Sequence, residues 1–219
     1  MKTPQERKSV SEAYIRARGI GVFEGLPVLP SANEVRCKGL DAVCRRAVAS
    51  LLMTQIAMEI SREQYGNVSF FVDKLKAYGV MGALNAKEQR LVSGMFSAQD
   101  VLDVVWEYEC CWALDWTLGL VEDISDAGSI CDCERAIGLV ASCRGSEEFR
   151  SRCTMRSTEE ILDMLDLYYR YHWACVQHRH IDPQLPVGDL NEEVVFERRR
   201  GLEWLISEEQ DWHEIAMNT

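Results

Sequence analysis

The chain has 219 residues, of which 47% are apolar, and a formal net charge of −11. That length fits one large domain with an ordinary globular core, and the acid surplus disfavours nucleic acid or an anionic membrane, since phosphate binding needs a basic face. Five prolines and fourteen glycines exclude a long low-complexity tract, and no run of eighteen apolar residues suggests a membrane helix.

The opening MKTPQERKSVSEAY is polar and lacks an apolar signal-peptide core, so a cytoplasmic protein is expected. Helical periodicity predicts helices over 5–18, 32–64, 68–78, 86–94, 98–118, 132–142, 146–152, 158–179 and 190–207. Capping-box pairs punctuate them: Ser31 with Glu34, Asn85 with Glu88, Ser157 with Glu160, and a shorter version at Ser97 and Asp100. Pro27 and Pro30 forbid a helix over VFEGLPVLP, and no segment alternates strictly as a strand does. The expected fold is all-α, a single multi-helix globular domain over 30–219 with a polar N-terminal extension. That extension, 1–29, reads as a helix followed by a Pro-containing extended piece. The tail SEEQDWHEIAMNT is too polar for a core helix, with Trp212 and Ile215 as its anchors.

Nine cysteines make an odd count with no CxxC, so they read as reduced thiols. Cys131-Asp132-Cys133 is a close pair without the second pair a zinc site needs, and no metal or cofactor is assigned. No GxGxxG, Walker A, GxSxG or HExxH pattern occurs, so no catalytic residue is assigned.

Helical wheels at about 100° per residue single out three polar residues on apolar faces. Over 158–179, His172 falls within an arc formed by Ile161, Leu165, Tyr168, Tyr169, Cys175 and Val176. Asp163 and Arg170 take the opposite flank, and Asp166 with Arg170 reads as an ordinary surface pair. Over 98–118, Glu109 sits among Val101, Leu102, Val105, Trp112 and Trp116, with Asp103 and Glu107 towards solvent. Over 190–207, Arg198 lands inside the apolar face, Arg199 at its border and Arg200 away from it.

A buried lone charge is costly, so Glu109, His172 and Arg198 are expected to meet, Arg198 forking onto Glu109 with His172 beside them. One role for such a cluster is to fix helix register. The other is a pocket where Glu109 and His172 do acid–base work, Arg198 anchors an anion and Tyr169 lines the wall. Asp166 joins this candidate set, although the wheel puts it about 120° from His172, which weakens a shared metal. Trp106 and Trp116 read as core or groove walls before base-stacking platforms.

Three blocks resemble a bacterial family known as domain of unknown function 4272. They are STEEILDMLDLYYRYHWA (157–174), WEYECCWALDWTLG (106–119) and VVFERRRGLEWLI (194–206) followed by Asp211-Trp212. The resemblance runs from about Pro30 to the C-terminus and implies a helical cytoplasmic protein, bringing no catalytic residues. Its motif positions are Trp106, Glu109, Trp116, Asp163, Asp166, Tyr169, Arg170, His172, Trp173, Glu197 and Arg198. The chain departs from the pattern at His213, where an acid is expected after Trp212. Two functional readings follow: a non-catalytic, acidic helical protein that binds a protein partner, or an enzyme or small-ligand binder working through Glu109, His172 and Arg198.

Overall fold

Reciprocal capping boxes start four of the helices. Thr3 with Glu6, Asn85 with Glu88, Ser97 with Asp100 and Ser157 with Glu160 each satisfy two backbone donors that a helix N-terminus would leave open. The computed structural model describes residues 2–219, and among these there is no strand. In chain order the helices are α1 (Pro4–Ala17), α2 (Leu40–Ser61), α3 (Val68–Ala77), α4 (Ala86–Ser93), α5 (Ala98–Thr117), α6 (Cys133–Ala141), α7 (Ser146–Ser151), α8 (Thr158–His180) and α9 (Glu192–Ile206). Short 3-10 turns occupy Tyr65–Asn67, Met81–Ala83 and Trp212–Glu214.

One expected boundary fails by two turns. The helix expected from residue 32 starts at Leu40, and the Ser31–Glu34 pair closes only a turn. A tertiary partner explains the difference: Lys38 donates its backbone N–H to Leu205 O at 2.8 Å and its ammonium to Ser207 O at 2.8 Å. The segment before α2 thus caps the carbonyl end of α9 instead of adding a turn to its own helix.

The longer helices pack as a series, α2 on α5, α5 on α9, α9 on α8 and α8 on α1, with α3 and α7 against α2 and α4 against α5. Fourteen of the twenty residues of α5 are buried, so it is enclosed on nearly every side and not only along one stripe. Its contact with α9 depends on Gly201, where a Cβ would lie 2.9 Å from Cys110 O and 3.2 Å from Cys110 Cα. Only glycine lets the two backbones approach this closely. The carbonyl end of α5 is closed by the chain before α8, with Thr154 N–H on Leu118 O at 2.9 Å and Arg156 N–H on Thr117 O at 2.8 Å.

The N-terminal helix is fastened to α8 through charge. Arg7 is 1% exposed, and it donates to Asp163 Oδ1, Glu159 Oε2 and Pro30 O, each at 3.1 Å. Burial of this guanidinium is tolerable because every branch of its fork meets an acceptor.

Candidate functional site

Glu109 on α5 and Arg198 on α9 do meet. Arg198 Nε donates to Glu109 Oε2 at 2.8 Å, and the two residues are 3% and 1% exposed. The rest of the guanidinium points into the loop between α5 and α6. Nη1 donates to Asp126 O at 2.5 Å and to Tyr168 Oη at 3.1 Å, and Nη2 donates to Ser129 O at 3.1 Å. Glu109 Oε1 accepts the Cys131 N–H at 2.6 Å, and Tyr168 donates its hydroxyl to Ile124 O at 2.5 Å. Burial raises the Tyr168 phenol, which keeps it a proton donor. Burial also works against the Arg198 charge, but Tyr168 and Glu109 outweigh it and its affinity for the proton rises. The pair therefore clasps a surface loop from beneath, supplying donors to the carbonyls that it turns inward. No reactive atom is left pointing outward.

His172 is elsewhere. Its Nδ1 lies 2.5 Å from Arg199 Nη1, and its ring meets Phe196 edge-on at 5.2 Å between centroids. A guanidinium only donates, so Nδ1 must be the unprotonated acceptor and the neutral ring carries its proton on Nε2. Burial, and then the Arg199 charge, push His172 down to about 4. Arg199, expected at the border of its face, is 3% exposed. It also donates to Glu203 Oε1 at 3.2 Å and Asn218 O at 2.8 Å, and its guanidinium carbon lies 4.9 Å from the Tyr169 ring centroid.

The Asp166–Arg170 surface pair is overturned as well. These residues are 0% and 2% exposed and bonded twice, at 2.9 and 2.8 Å. Helix α1 covers that flank of α8, bringing Glu12 Oε1 within 3.6 Å of Arg170 Nη1. Trp116 is a buried wall with Arg156 4.7 Å from its ring centroid, while Trp106 is half-buried beside the core. The seven candidate residues thus divide among several buried contacts rather than forming one site.

The neutral His172 makes a measurable prediction. Its NMR signal should titrate near pH 4 instead of 6.5, unmoved by EDTA. Between those values an unfolded chain binds a proton that the native ring refuses, so stability falls as pH drops from 6.5 towards 4. The loss is about 3 kcal/mol, and urea unfolding of His172→Gln should show a shallower fall across the same window. An ordinary titration near 6.5 would contradict the buried, neutral assignment.

A second polar cluster escaped the wheels. Glu107, expected towards solvent, is 0% exposed. Its Oε1 accepts from Asn85 Nδ2 at 2.8 Å and Trp212 Nε1 at 3.3 Å, and lies 2.8 Å from His213 Nε2. Beside it, Arg46 forks onto Glu88, with Nη1 2.9 Å from Oε2, and places its guanidinium carbon 4.4 Å from the Trp212 ring centroid. Burial raises Glu88 to about 8, with Arg46 opposing the rise and Glu107 adding to it. Burial also raises Glu107. Glu107 Oε2 and Arg46 Nε have no hydrogen-bond partner. A signal for this cluster was present, since a wheel over α2 sets Arg46 on the side of Val43, Ser50 and Met53.

Two openings at the surface complete the picture. A cavity of about 520 Å³ adjoins the Arg46 cluster, bordered by Arg45, Arg46, Asn85, Gln89, Trp204 and Asp211. Asp211 fills part of that neighbourhood, accepting the Ala86 N–H at the start of α4 at 3.1 Å. The other opening is apolar, also about 520 Å³, between the end of α2 and the first half of α5. Its walls are Met58, Ile60, Phe96, Val101, Leu102 and Val105. Leu102 is 51% exposed there, and Met95, next to Phe96, is 73% exposed. Among the described residues no three His, Cys, Asp or Glu side chains are placed to hold a metal ion, and no helix is long and apolar enough to cross a membrane.

A family model described as a domain of unknown function (DUF4272) matches residues 7–215, a span that takes in most of α1 and so begins well before Pro30. No curated protein and no solved structure matches the chain.

Proposed function

The chain belongs to the DUF4272 family, whose description names no activity, and on that premise we propose that it is a non-catalytic interaction protein. Its partner is a basic, amphipathic helix that lays its apolar face into the groove between α2 and α5. The groove itself carries the reading, because Met58, Ile60, Phe96, Val101 and Val105 form an apolar wall with half-exposed Leu102 at its edge. Grooves of this kind accept helices through side chains spaced three and four apart. The preference for a basic partner rests on charge, since the chain carries −11.

The competing reading, an enzyme or small-ligand binder using Glu109, His172 and Arg198, needs those groups to converge on a reachable surface. Glu109 and Arg198 are themselves buried and bonded to each other and to a loop backbone, and His172 is bonded to Arg199. The observations support the binding protein over it.

The test is direct. A synthetic helix with leucines on one face and lysines on the other, labelled for fluorescence anisotropy, should bind saturably and more weakly as salt rises. Leu102→Glu should weaken binding roughly tenfold or more, because the lost apolar contact and the added repulsion act together. Its melting temperature should stay near the wild-type value, since the side chain is half in water. Binding that ignores Leu102→Glu would remove the groove from the proposal.

A further inference from the structure

Cys131 and Cys133 lack the second pair that a zinc site needs, yet their sulfur atoms lie 3.8 Å apart. From this contact we propose that they form a redox-active dithiol, a site of thiol–disulfide exchange with small disulfides such as glutathione disulfide. The two residues differ in ways that assign separate roles. Cys133 is half-buried and opens α6, where the backbone N–H groups of a helix start favour a thiolate. Cys131 is 6% exposed and fixed through its backbone by Glu109. The shared hydrogen bond lowers Cys133 and raises Cys131, while Glu109 and Asp132 oppose the Cys133 thiolate. Cys133 is therefore the attacking group and Cys131 the resolving one.

The exchange proceeds in two steps. The Cys133 thiolate attacks one sulfur of the small disulfide, forming a mixed disulfide and releasing one small thiolate. Cys131 then gives up its proton to water, and its thiolate attacks the Cys133 sulfur, closing the Cys131–Cys133 bond and releasing the second small thiolate. Two protein thiols are oxidised, one small disulfide is reduced, and the two released thiolates take up the two protons. The adjacent pair Cys110 and Cys111 is not equivalent, because both are 0% exposed and burial holds both thiols high.

The experiment treats the reduced full chain with glutathione disulfide and follows intact mass and fragmentation over time. The expected first product has lost two hydrogens, with the bond located between Cys131 and Cys133 and reversed by dithiothreitol. Cys131→Ser should stop at the mixed disulfide on Cys133, gaining one glutathione per chain. Cys133→Ser should slow oxidation of the segment roughly tenfold or more. Melting curves of both variants verify that they fold. If folded wild-type protein oxidises first at other cysteines, or forms no reversible bond between these two, the proposal is overturned.

Discussion

Arg198→Ala should lower the free energy of unfolding by about 3–5 kcal/mol, chiefly because it strands the buried Glu109 carboxylate, and also because it releases the inward-facing carbonyls of the loop. The guanidinium serves Glu109 Oε2, Asp126 O, Ser129 O and the Tyr168 hydroxyl. Alanine supplies none of these donors and leaves a polar hole that water can enter only with imperfect hydrogen bonds. Arg198→Lys should recover the contact with Glu109 only, since a single ammonium cannot span acceptors on so many sides. Urea unfolding followed by tryptophan fluorescence checks the order, with alanine below lysine and lysine below wild type. Hydrogen exchange should show the amides of 124–131 opening first in the alanine variant. A loss below about 1 kcal/mol would place the net worth of the clasp in the range of an exposed pair.

Trp212→Ala should cost a similar amount, about 3–5 kcal/mol, for a different reason. The indole is 1% exposed and closes the Arg46 cluster, with its ring over the guanidinium and its N–H on Glu107. Removing it empties a large volume and lets water reach Glu107 and Arg46. Trp212→Phe keeps an aromatic face over Arg46 while losing the N–H and part of the ring volume, so its cost should be nearer 1–2 kcal/mol, about one buried hydrogen bond plus some packing. Thermal unfolding of the pair separates these contributions. Equal losses in the two variants would mean that the hydrogen bond, not the filled volume, holds the tail in place.

The helical class, the capping boxes at Asn85, Ser97 and Ser157, and the Glu109–Arg198 pair could all be read from residue spacing. They are properties of one helix at a time, or of two ionisable groups that stand out on otherwise apolar faces. Asp166, Arg170, Glu107 and Arg199 could not be read the same way. A wheel allows each helix one buried face, but α8 lies between α9 and α1, and α5 touches α2, α4 and α9. Charged residues on a second face stay buried when their partners arrive from another element, as Glu12 does for Arg170 and His213 for Glu107. Nothing in local periodicity records that arrival. His172 shows the same limit: its apolar surroundings could be recognised, but Arg199 was one residue away from the partner that spacing favoured.

The position of Trp212 and His213 over Glu107 also sets an order in time. The residues that close the cluster lie 105 and 106 positions after the carboxylate they cover. A chain made at about 5–20 residues per second reaches them roughly 5–20 s after Glu107. Through that interval Arg46, Glu88 and Glu107 already exist, but the surface above them is still open to water. Until Trp212 and His213 have followed, those three charged side chains lack the groups that cover them in the finished fold.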